Sequence, residues 1–425
     1  MRNGPTTYYI DANGQTAGFE YDLARQFAER QGWRLTVVSV AHLEELFDRL
    51  RRNEVHLAAA GLTVTETRRD RVRFGPSYNS EREVVVCGNR IRQPQSFAEL
   101  SMLRLEVVAH SSHIDRLNKL REQQPDLTWI TVAEASTEAM LERVANGLAD
   151  CAVTDKSSFE VAWNYLPSLA IAFEFGEERD IAWATPPEAD PRLSQVIDEF
   201  FADTATAALL LMLRERYFAH VRRLSEADVL GLLERRARLL PELRPHFHQA
   251  QIETGLDWRF LAALAYQESQ WNAAAISPTG VRGIMMLTSR TADHLGVKNR
   301  LDPRESILGG ARYMVTLKEA LPESVPEPDR TWMALAAYNL GPGSLIDARR
   351  LTLRLGRNPN LWKDVKDVLP LLARPEHAMH LRHGFARGGE ARTLAENVRI
   401  YYDILSRYEA PLPEGLGSGA QRPPG

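Results

Sequence analysis

The chain has 425 residues, room for about three compact units, or two with one bilobal, at roughly 150 residues per domain. Its 44% hydrophobic, 25% charged and 8% aromatic content excludes wholesale disorder, collagen-like sequence and a disulfide-dense mini-scaffold. Fifty-two Lys+Arg against 56 Asp+Glu leave a net charge of -4, so no global basic field exists to hold nucleic acid.

The longest apolar runs, such as 207–213, fall far short of the roughly 20 residues of a bilayer span. The opening Met1-Arg2-Asn3-Gly4-Pro5 carries no signal-peptide succession, and taken alone it points to the cytoplasm. Cys87 and Cys151 are the only cysteines. Both sit in strand-like segments and read as buried free thiols, with a single bridge as the alternative.

From residue 7 to about 215, short apolar runs alternate with helical patterns, the pattern of an α/β region with mostly parallel sheets. After a turn at Asp11-Ala12-Asn13-Gly14, a helix is expected over 21–31, a strand over 35–40, a helix over 43–52 and a strand over 56–61. Further strands are expected over 83–88 and 105–109. The latter runs into Ser111-Ser112, which suit the cap of the next helix. A helix over 138–146 and a strand over 151–155 complete the region.

Beyond about 195 nearly everything reads as helix: 193–202, 205–218, 226–240, 258–270 and 308–320. The Arg-rich stretch 233–238 is diluted by Glu226, Asp228, Glu234 and Glu242 and reads as a solvated helix face. The Pro- and Gly-rich segment 409–425 is too poor in apolar residues to pack and reads as a disordered tail.

The chemistry centres on 260–271, where an almost wholly apolar helix ends in Gln267-Glu268-Ser269. Leu261, Leu264 and Glu268 share one face, so Glu268 continues a buried stripe. A desolvated carboxyl resists ionisation, which is what a general acid requires near neutral pH. From the helix alone, a structural glutamate is an equal reading. Ser277-Pro278-Thr279-Gly280-Val281-Arg282-Gly283-Ile284-Met285 then joins turn residues to a short apolar run that shapes a cleft. A later small-residue helix ends in Ala336-Ala337-Tyr338-Asn339 before Gly341.

These three motifs, in this order over about 75 residues, resemble the soluble lytic transglycosylase domain, a lysozyme-like helical fold that cleaves peptidoglycan. The resemblance implies that Glu268 is the sole catalytic acid/base and that Ser277, Gly283, Met285, Tyr338 and Asn339 line the glycan cleft. It implies cleavage between N-acetylmuramic acid and N-acetylglucosamine with formation of a 1,6-anhydro end. The chain departs from the pattern at Met286, where most relatives have Gln, and at Leu394, where an aromatic contact is expected.

The first 215 residues resemble the family 3 solute-binding proteins, two α/β lobes hinged around a cleft. Gly18-Phe19-Glu20-Tyr21-Asp22, Gly61-Leu62-Thr63-Val64-Thr65-Glu66-Thr67-Arg68, Val72-Arg73-Phe74-Gly75-Pro76 and Asp150-Cys151-Ala152-Val153-Thr154-Asp155 carry the match. By that resemblance Arg68 clamps a ligand carboxylate and Asp155 takes an amino group, with Ser111, Ser112 and Thr63 beside them. The alternative leaves Arg68 in a surface arginine cluster and Asp155 as a helix cap. Relatives begin with a further strand and a signal peptide, so the resemblance implies an N-terminally shortened form of a secreted protein.

The expected architecture is an α/β bilobal periplasmic-binding-protein-like domain over 1–215, with lobes of about 1–88 plus 180–215 and 89–179. A helical linker over 216–245 leads to an all-α lysozyme-like domain over 246–408. The expected partners are peptidoglycan glycan strands and a small peptide, amino acid or muropeptide in the first domain, whose binding would regulate the second. Peripheral association with the outer membrane follows from the family alone. No metal-ligand spacing or nucleotide motif occurs, so neither metal nor cofactor is expected. A binding protein whose second domain only grips glycan and a hydrolytic muramidase are the rival readings.

Overall fold

The computed structural model describes residues 1, 7–10, 16–40, 42–133, 136–218, 224–277, 280–378 and 381–413. The chain divides into two compact units, Met1–Arg222 and Arg223–Gly425. The expected turn at 11–14 and residues 278–279 and 414–425 lie outside the described residues.

The N-terminal unit is bilobal. Two long antiparallel strands, Arg73–Gly88 and Leu169–Thr185, run through both lobes. Their ladder shifts register at several points, including between Ser77 and Asn79 and between Glu81 and Glu83. Such irregularities bend a strand pair and raise its twist. One end enters a core of Phe19, Leu23, Phe27, Tyr78, Ile181, Trp183 and Phe200. The other enters a core of Val85, Phe97, Leu105, Leu117 and Val153.

Residues 83–88, expected in the first lobe, therefore belong to the second. There they pair antiparallel with Cys151–Asp155, which runs parallel to Leu105–Val108, itself parallel to Ile130–Val132. The five-stranded sheet is mixed rather than mostly parallel, because Arg73–Gly88 runs antiparallel to both its neighbours, Cys151–Asp155 and Leu169–Thr185. The helices Phe19–Arg30, Leu43–Arg51, Ser112–Gln123 and Thr137–Ala145 lie where the 3.6-residue period places them.

The strands expected over 35–40 and 56–61 are reduced to isolated contacts. Ala58 bridges Ala184, and Met1 exchanges backbone hydrogen bonds with Val38 (2.8 Å) and Val40 (3.0 Å). An apolar run becomes a strand only where a neighbouring backbone completes its ladder, and these two runs meet one at single points among the described residues.

The cysteines overturn the free-thiol reading: Cys87 and Cys151 form a disulfide. They are register partners on adjacent antiparallel strands, with Cα atoms 4.0 Å apart. Residues directly opposite in such a pair bring their Cβ atoms close, a relationship that a separation of 64 residues conceals.

The C-terminal unit is helical throughout its described elements. Its central helix, Trp258–Ser269, starts at Asp257, whose carboxylate accepts from the Arg259 N–H at 2.8 Å. Every residue from Trp258 to Tyr266 is buried, and Ala262, Ala263 and Ala265 are fully so. A helix apolar on all sides is a core helix, and small side chains let neighbours approach. Those neighbours are Leu240–Thr254 and the long terminal helix Gly388–Tyr408, on which Asp329–Leu340 also packs.

Of the expected tail, residues 409–413 are described, and Glu409 is docked rather than loose. It is 8% exposed and pairs with Arg236 and Arg244, both at 2.7 Å, while the Ala410 carbonyl accepts from the Trp258 indole at 3.2 Å. Composition counts apolar residues and misses a charge that packs through ion pairs.

Candidate active site

Glu268 lies one residue before the end of the core helix. Gln270 then takes a left-handed conformation (φ 53°) and Trp271 a second one (φ 62°), turning the chain sharply away. The turn is fastened by Gln270 N–H to Tyr266 O (2.7 Å) and by the Trp271 indole to Ala262 O (2.8 Å). Non-glycine residues in this region carry a local cost that the surrounding packing must hold.

The segment 275–287 forms the facing wall. The Ser269 hydroxyl donates to Ile284 O (2.8 Å), tying this wall to the helix end. Gly283 N–H donates to Ala275 O, and Arg282 bridges both Ile276 and Leu287. Gly283 sits at φ 84°, and a Cβ there would meet Arg300 O at 1.7 Å, so the wall passes where only glycine fits. Met285 is fully buried, its N–H donating to the Ser306 hydroxyl at 3.3 Å. Met285 packs directly over Gly310, which has no Cβ to block it.

Tyr338 closes the arrangement from the end of Asp329–Leu340, its hydroxyl donating to Met285 O at 2.7 Å. Its ring lies 5.3 Å from Tyr313. Burial, with the nearby Glu268 charge, pushes the Tyr338 phenol well above 10, so it stays protonated and remains a donor. Asn339 is exposed beyond it. Ser277 shapes its own turn, its hydroxyl accepting from Val281 N–H at 3.2 Å.

Burial pushes the Glu268 carboxyl up to about 8. Desolvation is the sole cause: no charged neighbour contributes, and among the described residues no hydrogen bond or ion pair holds the carboxylate. The helix end thus presents one carboxyl that burial keeps largely protonated at pH 7, near the Tyr338 phenol.

In the N-terminal unit, Arg68 is 6% exposed and does not sit in a surface arginine cluster. It donates to Thr63 O (2.9 Å) and to His110 O on the other lobe (3.4 Å), and its guanidinium lies 5.4 Å from the Phe47 ring. A cavity of about 280 Å³ opens beside it, lined also by Ser111, His110, Glu44 and Asp115.

Thr63, Ser112 and Asp155 are not among the lining residues. Ser111 occupies the cap position of Ser112–Gln123 without a side-chain capping bond, and its hydroxyl is buried without a partner. Asp155 makes no side-chain cap either. Glu81 reaches the start of Lys156–Trp163 instead, accepting from Ser157 N–H (3.1 Å) and its hydroxyl (2.7 Å).

Comparison with known proteins follows the same division. Residues 1–220 match the model of bacterial extracellular solute-binding proteins, family 3, and residues 245–359 match the transglycosylase SLT domain. The membrane-bound lytic murein transglycosylase F of Thiobacillus denitrificans is 44% identical over 428 residues, covering 100% of this chain and 91% of the relative. That of Nitrosospira multiformis is 43% identical, covering 97% of this chain and 86% of the relative. The chain belongs to the membrane-bound lytic murein transglycosylase F family.

Within that family frame, Ser306, Gly310 and Tyr313 were invisible as site residues from sequence motifs alone. The adjacent Gly309-Gly310 inside Pro303–Glu319 was the available signal, since glycine in a helix interior marks a close approach. A second group missed is the buried cluster around Glu83, which His113 (2.7 Å), Arg179 (3.6 Å) and Arg116 face. Leu394, at the expected aromatic position, is buried at 5% exposure in the terminal helix.

Proposed function

We propose that Glu268 is the acid and then the base of this lytic murein transglycosylase. The observation that supports it is a lone carboxyl raised to about 8 by burial alone. Protonated at neutral pH, Glu268 gives its proton to the glycosidic oxygen between N-acetylmuramic acid and N-acetylglucosamine as the bond to the anomeric carbon breaks. The resulting carboxylate takes the proton of the muramoyl 6-hydroxyl, whose oxygen attacks that anomeric carbon. The products are a free 4-hydroxyl and a 1,6-anhydro end, with no water consumed and the glutamate back in its starting state.

Hydrolysing glycosidases pair two carboxyls about 5 to 9.5 Å apart. Burial alone accounts for the raised Glu268 carboxyl, with no contribution from a neighbouring carboxylate charge. This favours intramolecular attack. Tyr338 and the Gly283–Met285 wall would hold the muramoyl residue against Glu268, with Ser277 and Asn339 at the rim. Mass spectrometry of products from purified sacculi tests the assignment. Anhydromuropeptides from the parent and none from Glu268→Ala are expected, whereas reducing-end products overturn the mechanism.

For the N-terminal unit the reading is a small peptide, amino acid or muropeptide carrying a carboxylate, taken up beside Arg68 and Ser111. Ligand occupancy would regulate turnover only by differing in affinity for two states of the enzyme. An unchanged rate at saturating muropeptide removes the regulatory part. The compartment we infer is the periplasm, at the outer membrane. The Cys87–Cys151 bridge suits an oxidising compartment, and among the described residues no helix is long and apolar enough to cross a membrane.

A further inference from the structure

The C-terminal unit holds a second cavity, of about 360 Å³, lined by Asp228, Tyr266, Gln267, Gln270, Asn397 and Tyr401, with Leu224 and Thr393 at its edge. At 3.6 residues per turn, Tyr266, Gln267 and Gln270 centre on a face about 150° around the helix from Glu268. The cavity is therefore on the far side of the core helix from the reacting carboxyl. The left-handed Gln270 belongs to this wall, so the strained turn that ends the catalytic helix also shapes the second cavity.

Its chemistry is uniform. Three carboxamides, from Gln267, Gln270 and Asn397, each offer two donors and an acceptor. Among the described residues none of the three side chains makes a hydrogen bond within the protein. The Tyr266 and Tyr401 rings meet edge to face, with centroids 4.8 Å apart, and give the cavity an aromatic wall. No Lys, Arg or His lines it, and the one charged lining residue is Asp228, which accepts from Ser225 N–H and its hydroxyl at 2.9 and 2.8 Å.

We propose that this cavity is a second, non-catalytic saccharide site that takes an N-acetylated amino sugar of a glycan strand. Hydroxyls and an acetamide donate and accept alike, as the carboxamides do, whereas Tyr266 and Tyr401, 2% and 6% exposed, offer the cavity edges rather than a ring face. A carboxylate-bearing peptide meets Asp228, and the nearest cation, Arg235, is engaged with the Tyr266 hydroxyl at 3.5 Å. The volume lies within the range of small-molecule sites, roughly 300 to 1,000 Å³. A strand held here and in the Glu268 cleft is gripped on two faces of one helix.

The test uses the full chain carrying Glu268→Gln, so that glycan is not consumed, with chitotriose as the probe. Native mass spectrometry and calorimetry are expected to find two bound equivalents. Asn397→Leu keeps the approximate shape of the side chain in a helix that tolerates leucine but removes its amide, and Thr393→Val removes the neighbouring hydroxyl. Each is expected to weaken one equivalent by roughly threefold to tenfold, the effect of a lost hydrogen bond, and to leave the other unchanged. The same substitutions in the Glu268-intact chain should leave cleavage of short soluble fragments within about twofold of the parent. That readout is separate from the Glu268 assignment, which stands or falls on product chemistry. One equivalent in the parent, two that persist unaltered in both variants, or an equal loss at both sites would each overturn the proposal.

Discussion

The Tyr338 hydroxyl donates a 2.7 Å hydrogen bond to the Met285 carbonyl, joining the end of one helix to the wall that faces Glu268. The contact fixes three things together. It satisfies a carbonyl in a fully buried residue, orients the phenol and holds the wall in place. Tyr338→Phe leaves that carbonyl without its donor, at a cost of about 1 to 3 kcal/mol. The expected result is a fall in kcat/KM of roughly tenfold or more, with secondary structure retained. Parent-like turnover in Tyr338→Phe would show that the Gly283 and Ser306 contacts suffice to place the wall.

The Glu268 value of about 8 makes a prediction about pH. The acid step requires the protonated carboxyl, so the fraction competent for bond cleavage is near complete at pH 6 and declines through pH 8. Release of anhydromuropeptides under kcat/KM conditions should therefore show a basic limb near pH 8. A limb near 4.5 would mean that the carboxyl is far better solvated in the free enzyme than its surroundings indicate.

Much of this was legible in the sequence, for reasons that also explain what was not. Helix positions followed from periodicity, and Glu268-Ser269, Gly283-Ile284-Met285 and Tyr338-Asn339 were read as a site through their resemblance to the transglycosylase domain, with Gly283, at φ 84°, the one of them that the backbone demands. What stayed hidden depends on pairing across space. The Cys87–Cys151 bridge needs strand register, and the docking of Glu409 needs Arg236 and Arg244 from two successive helices. Ser111 looks like a capping residue and occupies the cap position, yet its hydroxyl makes no cap, which no local rule reveals.

The disulfide is expected to be present quantitatively in the native protein, with no thiol reacting before reduction. Closing a loop between cysteines 64 positions apart restricts the unfolded chain by about 4 kcal/mol in the loop-entropy model. Cys87→Ser with Cys151→Ser should lower the denaturant midpoint of the N-terminal unit, as should reduction of the parent. A stoichiometric thiol titre in unreduced protein would restore the free-thiol reading.

Glu83 offers the sharpest test of the N-terminal unit. It is 3% exposed and faces His113, Arg179 and Arg116. Burial works against its charge, but the His113 hydrogen bond and the surrounding cations hold its carboxyl below the ordinary 4.5. Burial likewise works against a charged His113, yet Asp155 and Glu83 hold it above 6.5. The Glu83 contribution to stability is therefore present above pH 4.5 and lost as pH falls through its lowered value. The His113 contribution is present below pH 6.5 and lost as pH rises through its raised value. Glu83→Gln strands three cationic groups around a neutral amide, at a cost of about 3 kcal/mol by comparison with other broken buried pairs. Urea midpoints from pH 4 to 9 should show the parent weakening at both ends, and the variant lower throughout with the His113-dependent decline reduced to the part that Asp155 supports. A variant as stable as the parent at pH 6 would mean that the cluster is hydrated rather than buried.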